Sequence, residues 1–144
     1  TPAQHFSGRK FSNRKSTLWS SWVIKSKDAN IYFSGDSGYG KHFAQIGESH
    51  GPFDLALVEC GQYNKMWPDN HMFPKESAQA GLDLKARAMM PIHWGAFKLS
   101  MHAWNAPIQQ VRKEAAALGI PLVTPEIGAP IRIETLPEPN TVWW

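Results

Sequence analysis

The first sixteen residues carry no amphipathic period; they are polar, basic and interrupted by Ser and Gly, and they predict an irregular entry segment. From residue 18 the pattern changes. Residues 18–25 and 30–34 are short runs rich in Trp, Val, Ile, Tyr and Phe, split by the turn-like Ser26-Lys27-Asp28-Ala29, and predict an antiparallel hairpin. Residues 41–48 place Phe43, Ala44 and Ile46 at helical spacing and stop at Gly51-Pro52, so a short helix is expected. Residues 54–60 are almost continuously apolar, the mark of a strand covered on both faces, and residues 62–73 read as loop.

Pro74 suits a first helical turn and Glu76 adds early negative charge, which predicts a second helix to about Lys85. Residues 88–92 then form a short buried strand ending at His93. A third helix is expected over 106–118, with Pro107 near its start and Gly119 just past its end. Residues 120–124 and 130–134 read as closing strands before a Pro-rich tail ending in Trp143-Trp144. The order β-β-α-β-α-β-α-β-β, without internal repeat or linker, argues for an α/β sheet packed against helices. At 144 residues the chain fits one domain, 1–144. Ligands of such sheets gather where strands end, which directs attention to Asp36, the loop up to His71, and His93.

Composition changes this picture little. The net charge of +3 comes from a modest cationic excess concentrated in Arg9, Lys10, Arg14 and Lys15. Such a cluster is usually a solvated loop, and no specific nucleic-acid partner is expected from it. The one cysteine, Cys60, excludes an internal disulfide framework and favours a reducing compartment; a cytoplasmic location is the expectation, with membrane-peripheral and periplasmic placements as alternatives. No run approaches the roughly 18 apolar residues that span a bilayer.

Each candidate residue has a bland reading beside a chemical one. Asp36, after the apolar Ile31-Tyr32-Phe33 and flanked by Gly35, Ser37 and Gly38, is either an Asx-turn residue or a carboxylate exposed to a cation at a sheet edge. His93, at a strand end before Trp94-Gly95, suits zinc, yet a lone histidine there more often makes one backbone hydrogen bond. His71 precedes a helix, His5 has little local context, and His42, His50 and His102 have no ligand pattern. Gly35-Asp36-Ser37-Gly38-Tyr39-Gly40-Lys41 also fits the phosphate-cradling G-x-x-x-x-G-K, which makes a nucleotide-binding module the alternative function; His42, however, stands where that loop needs a hydroxyl for magnesium. A Ser37 nucleophile is a further reading, one glycine short of G-x-S-x-G because Tyr39 stands in its place.

Five blocks taken together are more specific than any of these. The segments 1–9 (Thr-Pro-Ala-Gln-His-Phe-Ser-Gly-Arg), 18–22 (Leu-Trp-Ser-Ser-Trp), 33–39 (Phe-Ser-Gly-Asp-Ser-Gly-Tyr), 51–56 (Gly-Pro-Phe-Asp-Leu-Ala) and 91–97 (Pro-Ile-His-Trp-Gly-Ala-Phe) resemble, in order and spacing, the metallo-β-lactamase-fold hydrolases close to N-acyl-phosphatidylethanolamine phospholipase D. The resemblance runs from Thr1 to about Gly128. It implies an αββα sandwich of two similar halves, of which this chain is the C-terminal one, a mixed sheet with helices on one face. It further implies a dinuclear metal centre, usually zinc, for hydrolysis of phosphodiester or related ester bonds.

By position in that pattern, His5 is implied as a ligand of one metal, Asp36 as the bridging carboxylate, His93 as a ligand of the other, and His71 as an active-site proton donor or substrate contact. The family's first metal-binding block, His-x-His-x-Asp-His, does not occur in these 144 residues. The expected partners are therefore the N-terminal half of the same fold, a small-molecule or lipid-like phosphodiester substrate, and a second copy of the chain, because a sheet missing its mate exposes an apolar face. Alone, the chain is expected to bind metal weakly and to lack hydrolytic activity.

Overall fold

A computed structural model describes residues 1–7, 12, 17–136 and 142–144, with the side chains of residues 5–7, 17 and 18 left outside that description. The expected basic cluster of Arg9, Lys10, Arg14 and Lys15 lies outside the described residues. Two antiparallel strands open the chain, β1 (Pro2–Ser7) and β2 (Thr17–Ser20). The central sheet follows, with β3 (Trp22–Lys25), β4 (Asn30–Phe33), β5 (Leu55–Glu59) and β6 (Met89–Ile92) in the spatial order β3-β4-β5-β6. The β3–β4 pair is antiparallel, whereas β4, β5 and β6 run parallel.

Local chemistry explains the elements. The Ser26 hydroxyl accepts from the amides of Asp28 and Ala29 and closes the β3–β4 turn. The Asp54 carboxylate accepts from the Asn30 amide at 2.9 Å, which ties the start of β4 to that of β5. Parallel strands need crossovers, and helices supply them: α1 (His42–His50) joins β4 to β5, and α2 (Pro74–Asp83) joins β5 to β6. In α2, Pro74 occupies the first turn and Glu76 reaches back to accept from the Phe73 amide at 2.8 Å. The last helix, α3 (Ala106–Leu118), packs on α2 and ends at Gly119, whose φ of 70° is the left-handed cap that glycine takes readily.

Alternation along the strands divides the sheet into two faces. Tyr32, Ala56, Val58 and Met89 are buried among Phe43 and Ile46 of α1, Ala78 and Ala80 of α2, and Ile108 and Val111 of α3. On the other face Leu55 is buried with Val123 and Leu136, while Trp22, Ile24 and Phe33 are exposed at 61, 57 and 37%. The architecture is the expected mixed sheet with helices on one face.

Four local expectations need correction. The run 18–25 is two strands, β2 and β3, which belong to different sheets and part at Ser21, so the hairpin is made by β3 and β4 alone. The entry segment is not irregular throughout, since Pro2–Ser7 forms β1, held by pairing with a strand ten residues later and by no amphipathic pattern of its own. Residues 120–124 make one parallel bridge, Met89 to Leu122, in place of a strand. Pro121 and Pro125, on either side of residues 122–124, have no amide proton, so the ladder cannot extend. Residues 130–134 likewise form no strand; Ile133–Thr135 is a short 3-10 turn.

Candidate metal centre

The parallel strands β4, β5 and β6 end on the same side of the sheet, and the residues just beyond them meet there. Asp36 follows β4 on a turn entered through Gly35 at φ 59°. His93 follows β6 directly with φ 66°, a left-handed conformation that a non-glycine residue adopts at a cost of order 1–3 kcal/mol and that concentrates at functional sites. Two contacts hold it there. The Trp94 indole donates to the Pro91 carbonyl at 3.0 Å, and Gly61 beyond β5 lets the His93 carbonyl pass so close that a side chain at that position would collide with it.

His71, from the loop before α2, completes the group. Its ring stacks on that of His93 with centroids 5.2 Å apart and 17° between planes, and His93 Nε2 lies 3.6 Å from Asp36 Oδ1. One donor atom from each of Asp36, His71 and His93 lies within 4.8 Å of the others. Burial pushes the His71 imidazole below its ordinary pKa against the opposing pull of Asp36. It pushes His93 down as well, with Asp36 opposing and His71 adding to the fall. Both rings are therefore neutral near pH 7, the state in which imidazole presents a lone pair to a metal.

The structure thus brings together Asp36, His71 and His93. The side chain of His5 lies outside the described residues, but its neighbour is fixed: the Gly38 amide donates to the Gln4 carbonyl at 2.6 Å and the Gln4 amide donates to Ser37 Oγ at 2.9 Å. Strand β1, which carries His5, consequently runs beside the Asp36 loop. The same bonds bear on both rival motifs. With its Gly38 amide engaged by Gln4, the 35–41 loop does not turn that donor toward a phosphate. Ser37 is fully buried, donates to the Gly38 carbonyl at 2.8 Å and stands 3.2 Å from His42 Nε2, with no opening to a substrate.

The sequence marks Glu59 only as an acidic strand end downstream of the 35–41 loop and leaves Gln62 in a loop. Glu59 is fully buried at the end of β5, and burial drives its pKa well above the ordinary carboxylate value; the Met72 amide opposes this, and Asp36 and Glu76 add to it. The available signal was a charged residue closing an otherwise apolar strand. Gln62, buried with φ 64°, donates to the Phe97 carbonyl at 2.6 Å and accepts from the amides of Leu99 and Ser100, which straps the 97–100 loop beside His93. Between them, Gln62, His93, Trp94, Ala96 and Phe97 line a cavity of about 300 Å³. A second, of about 350 Å³, opens on the other side of His93 and Trp94 against Val123, Ile127 and Trp143. Trp143 and Trp144 pack on Trp94 at 5.4 and 5.5 Å between centroids.

Several known proteins resemble this chain in sequence and fold. An uncharacterised protein of Mycobacterium tuberculosis is 42% identical over 147 residues, covering 99% of this chain and 39% of its own length. N-acyl-phosphatidylethanolamine-hydrolyzing phospholipase D 1 of Caenorhabditis elegans is 37% identical over 101 residues, covering 68% of this chain and 28% of its own length. The chain therefore spans well under half the length of these relatives. Among solved structures, Igni18, a metallo hydrolase from Ignicoccus hospitalis, superposes with a TM-score of 0.67 at 22% identity over 90% of this chain and 49% of its own. Residues 1–94 match the family described as the beta-lactamase superfamily domain, and the chain belongs to that superfamily, with its α/β metallo-β-lactamase fold.

Proposed function

We propose that this chain forms the C-terminal half of a metal-dependent hydrolase of phosphodiester or related ester bonds, with zinc as the metal. The observation that carries the reading is the convergence of Asp36, His71 and His93 within 4.8 Å at the strand ends. Asp36 and the neutral imidazole of His93 are donors that zinc accepts, so the pair fits the ion. In this reading His5, Asp36 and His93 would hold the metal, and the N-terminal half would supply the remaining ligands. Bound there, such ions supply Lewis acidity and lower the pKa of water.

The chain's own residues do the rest. Asp36 fixes the spacing of the donors from a turn with little side-chain bulk. His71, buried beside Asp36 and His93, orients and donates to the leaving oxygen, a task that an imidazole N–H can perform. The nematode relative, named for hydrolysing a phospholipid, supports a phosphodiester of small or lipid-like form as substrate.

The test uses the full-length protein that contains this chain. Elemental analysis is expected to find bound transition metal, and a general phosphodiester probe such as bis(p-nitrophenyl) phosphate is expected to be turned over. Asp36→Ala is expected to remove both, with activity falling by on the order of a thousandfold or more. A full-length protein without metal, or one whose Asp36→Ala variant keeps it, overturns the reading. The isolated 144-residue chain is expected to retain metal weakly and to be inactive.

A further inference from the structure

Strand β5 ends on a carboxylate that the metal set does not use. On its face of the sheet, Leu55 and Leu57 precede Glu59, and packing alone is served there by a third apolar side chain. Glu59 is instead fully buried, at a cost that a carboxyl group incurs unless its oxygens find partners. Its Oε1 accepts from the Met72 amide at 2.6 Å, the residue directly after His71, and its own amide donates to Ser34 Oγ at 3.0 Å, two residues before Asp36. Among the described residues its Oε2 has no hydrogen-bond partner, and it lies 3.5 Å from His71 Nδ1. The pair sits a few tenths of an ångström beyond hydrogen-bond range, a gap of the kind that closes when a site engages its substrate.

Resting on the hydrolase reading above, we infer that Glu59 is the positioning residue of His71: one oxygen fixes the backbone at Met72, and the other holds the ring through Nδ1 so that Nε2 faces Asp36 and His93. Imidazoles at metal sites are oriented in this manner by a carboxylate or carbonyl at the second nitrogen, and loss of such a partner typically lowers activity or affinity about 10–100-fold.

The experiment labels the histidines of the full-length protein with 15N and reads each ring by long-range 1H–15N correlation, alongside kinetics and metal content. In the wild-type protein His71 is expected as a single tautomer from pH 6 to 8; an averaged pair of tautomers overturns the inference whether or not any variant folds. Glu59→Leu is expected to move the His71 Nδ1 resonance while leaving His102 in place, and to lower kcat about 10–100-fold with KM and metal content within about twofold. Glu59→Gln, which keeps the shape and the Met72 contact, is expected to recover most of kcat. An unmoved His71 in Glu59→Leu, or a loss of kcat matched by loss of metal, defeats it. Absence of any hydrolysis by the full-length protein counts against the hydrolase reading, while the His71 spectrum still decides the contact with Glu59.

Discussion

The two faces of the central sheet are built from the same strands and treated differently by the chain. Tyr32, Ala56, Val58 and Met89 disappear beneath three helices, whereas Trp22, Ile24 and Phe33, pointing the other way, stay exposed. Among the described residues, the part of that second face that is covered is the β5 and β6 side, by Val123, Leu136 and the partly buried Ile131 and Ile133. In the proposed reading, a sheet finished on one face and apolar on the other is half of a sandwich, with the exposed strip as the place where the mate would pack. The candidate metal centre lies at the rim shared by both faces, so a covered face is enough to assemble three of its side chains and not enough to enclose them.

The largest effect expected from this asymmetry is on stability. Phe43 is fully buried, edge-on to Tyr32 at 6.3 Å between centroids and stacked near Tyr39 at 6.0 Å. Phe43→Ala is expected to destabilise the chain by about 3–5 kcal/mol, while Trp22→Ala, on the open face, changes it by less than about 0.5 kcal/mol. Urea unfolding of the two variants measures the difference. Comparable losses in both mean that the open face is already covered in solution and break the comparison.

A smaller effect is expected on association. The exposed strip makes the isolated chain prone to pair with a second copy, and light scattering of the wild-type chain is expected to find a dimer whose dissociation constant rises at least about tenfold in Ile24→Lys, an effect near 1.4 kcal/mol. In the full-length protein, where the N-terminal half is proposed to cover this face, the same substitution is expected to lower the melting temperature instead. A monomeric wild-type chain at high concentration removes this expectation.

The asymmetry also explains what was legible in the sequence. Helix α3 was readable to its ends because Pro107 and Gly119 act locally, and β5 because a strand in the middle of a parallel sheet must be apolar on both sides. Strand β1 was not, since its order comes from Thr17–Ser20 and from Gly38, contacts that no local pattern encodes. Residues 120–124 had strand composition, but Pro121 and Pro125 decided the outcome. Within the site, Asp36, His71 and His93 stood out because strand ends in α/β sheets are where chemistry collects. Glu59 stayed hidden because one acidic residue at the edge of an apolar run looks like a strand terminus until its oxygen is found beside His71.

The smallest effect concerns pH and sharpens the same contrast from the covered side. His42 opens α1, its ring 4.1 Å from that of Phe43 and its Nε2 3.2 Å from Ser37 Oγ, and burial holds its pKa below the ordinary 6.5. His71 and His93 are shifted the same way. A histidine whose pKa is lower folded than unfolded leaves the unfolded chain binding more protons just below pH 6.5, so stability is complete above that value and is lost as pH falls toward the folded pKa values. Melting of the metal-free chain is therefore expected to weaken from pH 7.5 to 5.5, with a shallower slope in His42→Gln. Glu59 works in the opposite direction: its raised pKa gives stability that is present below about 4.5 and declines as pH rises through its folded value. Glu59→Gln should accordingly steepen the net gain in stability with rising pH, whereas a wild-type melting temperature that stays flat or climbs on acidification contradicts the burial of these imidazoles.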